Sequence, residues 1–348
     1  MLARSITLPL LAFLLASCGD DASNAATEAA VEAIDPEEAV AVELRPYLDD
    51  LPEITFNALT LRAARISIAM DREDLSEDIV LREIPGPEGA PDVKVYIADP
   101  DPGRTDKPAY LHMHGGGYIL LSAADFADRG PSYAKACDCV IVSVDYRLAP
   151  ETSFPGPMED NFAALNWLYE NAEELGVDRT RIAIGGESAG GGHAAQLAIA
   201  ARDRGIPVVF QLLTYPMLDD RTGSIIPVPD HIGHYVWNKG SNAYAWSAYL
   251  DQPAGSKTVP YGSVPARLED LTGLPPAWIG VGGVDLFLEE DKEYARRLNE
   301  AGVPAELYVA PGAFHAFDDM AYETAIATEF RARSLAALRQ ALHGEEET

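Results

Sequence analysis

Residues 186 to 190 read GESAG, a serine between glycines, after the apolar run RIAIG (181 to 185) and before the helix-compatible GGHAAQLAIAARDR. Strand, G-x-S-x-G, helix is the context of a nucleophile elbow, in which small neighbours permit a strained turn that lifts the hydroxyl of Ser188 above a sheet. The positive end of the following helix would lie beside any anion that forms there. The chemistry such a serine offers is attack on a carbonyl carbon. An alcohol is a weak nucleophile at its ordinary pKa, so it needs a base, itself oriented by a carboxylate.

Among the histidines after Ser188, His193 falls in the helix behind the elbow and His343 near the chain end, while His231 and His234 belong to an aromatic segment. His315 lies in PGAFHAF, just past the apolar run AELYVA. Where such elbows occur, the chain order is serine, acid, histidine, each past the end of a strand, and this selects His315. Asp285 is the first carboxylate after the apolar run AWIGVG. Glu289, Glu290 and Asp291 follow a turn later, where acidic residues suit the start of a helix, and they are the alternative acids.

Attack on a carbonyl creates an oxyanion, which needs preorganised NH donors, each worth about 3 to 4 kcal/mol. His114 to Gly117 read HGGG directly after the strand-like AYLHM. Glycine lets the backbone approach a substrate closely and turn its NH groups inward. Gly115, Gly116 and Gly117 are therefore one wall of an expected oxyanion hole, and the NH of Ala189, next after the nucleophile, is the other.

These groups must be held by a sheet. Strands are expected at Ile79–Ile84, Val93–Ala98, Ala109–Met113, Val140–Asp145, Arg181–Gly185, Val208–Leu213, Ala277–Val281 and Ala305–Val309. Helices fit about Asp125–Lys135, Pro157–Leu175, Ala189–Arg204, Leu288–Ala301 and Tyr322–Leu342. Runs such as VIVSV are almost continuously apolar, as in a parallel sheet covered on both faces, so the fold class is α/β with a mostly parallel central sheet. Residues 35 to 75 show helical spacing and are expected to form two or three cap helices ahead of the catalytic domain, residues 76 to 348. A segment at about 216 to 270 breaks the alternation and concentrates His231, His234, Tyr235, Trp237, Tyr244, Trp246 and Tyr249, which predicts a cap insertion.

The chain has 348 residues, 47% of them hydrophobic, enough for one large domain with an elaboration. Its formal net charge of −29 opposes phosphate backbones, so nucleic acid is not an expected partner. Residues 1 to 18 carry Arg4, the apolar ITLPLLAFLL and then LASC, ending at Cys18. The pattern resembles the lipobox of bacterial lipoproteins, whose cysteine is diacylated and becomes the new N-terminus; an ordinary secretory signal is the alternative. Two acyl chains anchor stably without spanning, so an exported protein, tethered by residues 19 to 34 to the non-cytoplasmic side of a membrane, periplasmic or at the cell surface, is expected. Cys137 and Cys139, in CDC, are read at the start of a strand, where side chains two apart share a face. That spacing is poor for a mutual disulfide, so buried packing is expected, and two thiols are too few for a metal site.

HMHGGGYIL, VSVDYRLAPETSFPGPMED, GGESAGGG, LLTYPMLDDR and the stretch from GLPPAWIGVG to GAFHAF together resemble the hormone-sensitive-lipase-like carboxylesterases of the α/β-hydrolase fold, over roughly Ile79 to Leu342. The resemblance implies a triad of Ser188, His315 and Asp285, the oxyanion hole named above, and a cap built from N-terminal helices and an insertion after the YP strand. It implies a serine carboxylesterase acting on short- to medium-chain esters, with no cofactor or metal and with a small-molecule ester as partner. Glu187 departs from the aspartate frequent in the family. Tyr118, Glu187, Tyr215 and Trp237 are the expected substrate contacts. Arg147 and Glu151, in DYRLAPE, read as braces at a sheet corner, since buried charges are normally paired. An exposed last strand leaves a homodimer open. An amidase or peptidase on the same fold, and a binding lipoprotein without turnover, are the competing readings.

Overall fold

The computed structural model of the chain describes residues 34–51, 54–70, 75–127 and 129–344. The chain divides into two units, Met1–Ala33 and Ile34–Thr348; the expected leader, Cys18 and the tether through residue 33 lie outside the described residues. The second unit contains the whole sheet and its core.

Eight strands form one sheet: β1 (Ile79–Ile84), β2 (Val93–Ala98), β3 (Lys107–Met113), β4 (Val140–Asp145), β5 (Val177–Glu187), β6 (Phe210–Thr214), β7 (Ala277–Gly282) and β8 (Ala305–Ala310). Their order is β1-β2-β4-β3-β5-β6-β7-β8, with β1, β2 and β4 paired antiparallel in succession and every later pairing parallel. β3 is buried along its whole length, which explains its near-continuous apolar sequence.

The helices are α1 (Pro36–Ala39), α2 (Ala58–Met70), α3 (Ala124–Ala127), α4 (Gly130–Cys137), α5 (Gly156–Glu170), α6 (Ala189–Arg204), α7 (Lys239–Leu250), α8 (Leu288–Glu300), α9 (Phe317–Met320) and α10 (Ala325–His343), with a 3₁₀ turn at Arg45–Asp50. One core joins the sheet to α5, α6 and α8 through Leu165, Leu168, Leu197, Tyr294 and Leu298. A second, through Ala134, Phe330, Leu338 and Leu342, joins it to α4 and α10.

Three boundaries differ from expectation for local reasons. The helix expected at Asp125–Lys135 is two helices, α3 and α4, the second carrying Pro131 at a start position where its missing NH costs nothing. The last helix begins at Ala325 because the Thr324 hydroxyl caps it by accepting from the Ala327 NH. β5 starts four residues early, at Val177, because its N-terminal end pairs with Lys107 of β3.

The cysteine reading is corrected outright. Cys137 and Cys139 form a disulfide, with their Cα atoms 5.4 Å apart. They are not on one strand: Cys137 ends α4, Asp138 takes the left-handed conformation (φ 53°) at the helix C-cap, and β4 begins only at Val140. The turn at Asp138 brings two side chains together that an extended chain would hold parallel and apart.

The segment from Pro216 to Pro276 adds no strand to the sheet; it contains α7 and a 3₁₀ turn at Pro265–Arg267. It packs against the N-terminal elements: the Ser241 hydroxyl accepts from the Phe56 NH at 3.0 Å, and the Asn238 side-chain amide donates to the Ile54 carbonyl at 3.0 Å. Phe56, Leu61, Trp237, Trp246 and Tyr249 share a buried cluster with Tyr118, Ala189 and Phe287, which follow β3, β5 and β7. Among the described residues, no helix is long and apolar enough to cross a membrane.

Candidate active site

The parallel register aligns the carboxyl ends of the central strands, with Met113 opposite Gly186, Glu187 opposite Thr214 and Gly282 opposite Ala310. The loops past β3, β5, β7 and β8 therefore emerge at one edge, carrying His114 to Gly117, Ser188, Asp285 and His315.

Ser188 sits between β5 and α6 with φ 56° and ψ −119°, a conformation that strains any residue with a Cβ. Its neighbours hold the strain. The Ser188 NH donates to the Thr214 carbonyl at 2.9 Å, and the Ser188 carbonyl accepts from the NH groups of Met217 and Gly192. The flanking glycines are steric necessities: a Cβ on either Gly186 or Gly190 would lie 2.0 Å from the Met113 carbonyl oxygen.

His315 lies in the loop after β8, its Nδ1 2.8 Å from Asp285 Oδ2 and its Nε2 2.9 Å from Ser188 Oγ. An ionised carboxylate only accepts, so Nδ1 carries the proton and donates to Asp285, leaving Nε2 to accept from the serine hydroxyl. The second oxygen of Asp285 accepts from the Phe287 NH at 3.0 Å, which fixes the carboxylate plane. The imidazole is gripped edgewise by the rings of Tyr215 (4.8 Å) and Phe287 (5.2 Å). All three triad side chains are buried.

The alternative acids go elsewhere. Glu289 pairs with Lys292, Glu290 accepts from the NH groups of Leu218 and Asp219, and Asp291 is buried in α8 with no hydrogen-bond partner among the described residues. The alternative bases do too. His193 is enclosed by Tyr118, Tyr146 and Tyr249, His234 donates to the Asp230 carbonyl, and His343 reaches the Cys137 carbonyl.

The glycine loop is propped from below. Tyr146 donates its hydroxyl to the His114 carbonyl at 2.6 Å, and its ring stacks on the His114 imidazole at 4.1 Å. His114 Nδ1 donates to the Gly115 carbonyl, and burial pushes this imidazole down to about 4, so it is neutral. Gly116 has φ 106° and Gly117 φ 60°; a Cβ would strike the Leu120 carbonyl oxygen at 2.2 Å at the first, and the Trp237 indole at 2.2 Å at the second. Among the described residues, the NH groups of Gly115, Gly116, Gly117 and Ala189 donate to no protein acceptor. Unused donors beside a nucleophile are the electrostatic requirement for binding an oxyanion.

A cavity of about 480 Å³ opens onto Ser188 and His315. Its walls are mainly apolar and include Phe56, Ile68, Leu120 and Trp237. Glu187, Tyr215 and Trp237 line it as expected, whereas Tyr118 does not. Tyr118 is fully buried beneath the loop, stacked on Tyr249 at 4.2 Å, with its hydroxyl donating to the Met217 carbonyl. Its backbone is in the left-handed region, with φ 64°.

Sequence reasoning missed much of the wall, including His112, Arg129, Asp319 and Ile68. His112 Nε2 is 2.9 Å from Glu187 Oε2, and Nδ1 is 2.8 Å from Ser143 Oγ. Burial alone would raise Glu187; the charge and hydrogen bond of His112, with the charge of Arg129, outweigh it and hold this carboxyl below its usual range. Arg129 pairs with Asp319. Asp318, which accepts from the Tyr215 hydroxyl at 2.9 Å, is pushed up to about 7 by burial and by Asp319 and Glu187 nearby. The one available signal was the HMH spacing, which sets His112, at the end of β3, two residues before the first residue of the glycine loop. Arg147 is held by Asp160, at 2.7 Å, and Glu151 by Arg65 of α2, also at 2.7 Å, so both act as braces.

The alpha/beta hydrolase fold family matches residues 110–319. Esterase LipI of Mycobacterium tuberculosis is 36% identical over 272 residues, 75% of this chain and 81% of the relative. Carboxylesterase NlhH of the same species is 35% identical over 308 residues, 86% of this chain and 95% of the relative. The solved structure of a bacterial heroin esterase superposes with a TM-score of 0.79 at 36% identity, covering 88% of this chain and 98% of that one.

Proposed function

The chain belongs to the α/β-hydrolase family and is a carboxylic ester hydrolase; from that premise we propose that Ser188, His315 and Asp285 perform the hydrolysis through an acyl-enzyme. The observation that carries this is the unbroken hydrogen-bonded chain from Ser188 Oγ through His315 to Asp285. Ser188 attacks the ester carbonyl as its proton passes to His315 Nε2, and Asp285 holds the tautomer and stabilises the imidazolium. The tetrahedral oxygen takes up the free NH groups of the 115 to 117 loop and of Ala189. His315 then returns the proton to the departing alcohol, and a water activated by the same imidazole releases the acid.

The apolar cavity suits substrates with a compact hydrocarbon acyl group, and we assign short- to medium-chain esters to it. A rate series over p-nitrophenyl esters from acetate to palmitate tests this, with kcat/KM expected to peak well before the longest chain. Parent protein should hydrolyse p-nitrophenyl butyrate, and Ser188→Ala should lose about 10⁴-fold or more in kcat. Equal rates from the two proteins would overturn the assignment of the nucleophile.

Export and acylation at Cys18 remain part of the proposal. The disulfide of Cys137 and Cys139 supports a location outside the reducing cytoplasm. The mass of the mature N-terminus tests it directly: a diacylated residue beginning at Cys18 is expected, and an unmodified Cys18 would refute it.

A further inference from the structure

Helix α2, ALTLRAARISIAM, is apolar on two opposite faces. Successive residues turn by about 100°, so Leu61, Ala64, Arg65 and Ile68 fall on one side and Leu59, Ala63, Ile66 and Met70 on the other. The first side faces the body of the molecule. Leu61 is buried with Phe56 and Trp237, Ala64 and Ile68 line the catalytic cavity, and Arg65 donates to the carbonyls of Ile119 and Ala149. The second side faces out: Leu59 and Met70 are each 79% exposed and Ile66 is 53% exposed. A helix of a water-soluble surface normally turns polar residues outward, and a contiguous apolar stripe in that place marks a contact surface.

Two further observations say what it contacts. In a chain with 55 acidic residues, the 17-residue stretch from Ile54 to Met70 has none, and its only charges are Arg62 and Arg65. The stretch itself therefore adds no acidic repulsion toward a lipid headgroup layer, the nearest acidic residues in sequence being Glu53 and Asp71 just outside it. The second is where the fold begins. Its first described residue, Ile34, follows a segment that, extended, spans on the order of 50 Å from Cys18. Shortly after, the Ala41 NH is bonded to the carbonyl of Gly312, in the loop that carries His315. The chain thus enters the fold at the catalytic edge. Met320, 45% exposed, stands at the rim of the same cavity.

We infer that the outer face of α2, through Leu59, Ala63, Ile66 and Met70, docks on the surface of a lipid bilayer and presents the cavity mouth to esters dissolved in it. This rests on the acylated-leader reading for how the chain comes to a membrane, while the docking itself belongs to the compact unit. The substrates favoured would be apolar esters that partition into lipid.

The test uses the chain from Gly19, which keeps the whole compact unit and lacks Cys18, with phosphatidylcholine vesicles in a flotation assay. The parent should float with the vesicles. The triple variant Leu59→Ser, Ile66→Ser, Met70→Ser should partition about tenfold or more weakly, in line with loss of three apolar anchors. Its rate on soluble p-nitrophenyl acetate should stay within about twofold of the parent, showing that the fold and triad are intact, while its rate on a vesicle-borne ester falls with its partitioning. An environment-sensitive dye on Ile66→Cys should shift to the blue when vesicles are added. Equal partitioning of parent and triple variant, or an unshifted dye, overturns the inference. So does a dimer in the ultracentrifuge that the triple variant abolishes, because the stripe would then be covered by a second copy. An unacylated mature N-terminus would remove the anchor but leave the vesicle result standing, so the two readings fail separately.

Discussion

At Asp285 the carboxylate does one thing a neutral amide of the same shape cannot: it forces the proton of His315 onto Nδ1. Asp285→Asn should therefore keep the fold and lower kcat by about 10⁴-fold, measured on p-nitrophenyl butyrate. A loss of less than about tenfold would mean that another group orients the imidazole. Ser188, Asp285 and His315 were legible in the sequence because each follows an apolar run and obeys a fixed order. The elbow is also written locally, since the Met113 carbonyl leaves no room for a Cβ at positions 186 and 190. Tyr118 was misread for the opposite reason. Its neighbour Gly117 lines the cavity, but its own orientation is set by Met217 and Tyr249, both far downstream in the chain. His112, Arg129 and Asp318 were invisible on the same ground, because their partners are Glu187, Asp319 and Tyr215.

The strands were legible as elements because buried parallel strands are apolar throughout, and the eight expected runs are the eight strands of the sheet. What a pattern of apolar residues does not encode is a single left-handed residue. Asp138 separates α4 from β4, and mistaking that junction for strand hid the disulfide. The same kind of turn makes the glycine loop sensitive. Gly117→Ala combines an unfavourable φ with a collision against the Trp237 indole, and should lower kcat/KM by about tenfold or more. The double variant Gly117→Ala, Trp237→Ala should recover part of that loss. A double variant worse than the sum of the two singles would show that the indole is not the obstacle.

For the molecule as a whole, two buried ionisable groups predict opposite responses to pH. Burial, with His114 nearby, pushes His193 from 6.5 down to about 3. The unfolded chain then binds a proton that the native state refuses, so the contribution of His193 is complete above 6.5 and is lost as pH falls toward 3. At about pH 4.5 the loss is roughly 2 to 3 kcal/mol, and thermal melts of His193→Phe should show a smaller drop between neutral and acid pH than the parent. Asp318 runs the other way: raised from 3.8 to about 7, it stabilises below 3.8, and that contribution is lost as pH rises through 7. Asp318→Asn should flatten the decline seen as pH rises from 3.8 to about 7. A parent and variants with parallel melting profiles would contradict both assignments. Neither group was legible in the sequence, because burial is a property of the assembled core. The layering of the molecule was legible, since helical spacing before the sheet and an aromatic break after β6 marked the two regions that meet through Phe56, Asn238 and Ser241.

The central claim is that one serine, activated by one histidine, does the chemistry. Labelling the full chain with a fluorophosphonate and locating the adduct by peptide mass spectrometry tests it most directly. A single adduct is expected on the peptide containing Ser188, absent from Ser188→Ala and strongly slowed in His315→Ala. An adduct on another residue, or unchanged labelling of Ser188→Ala, would contradict it.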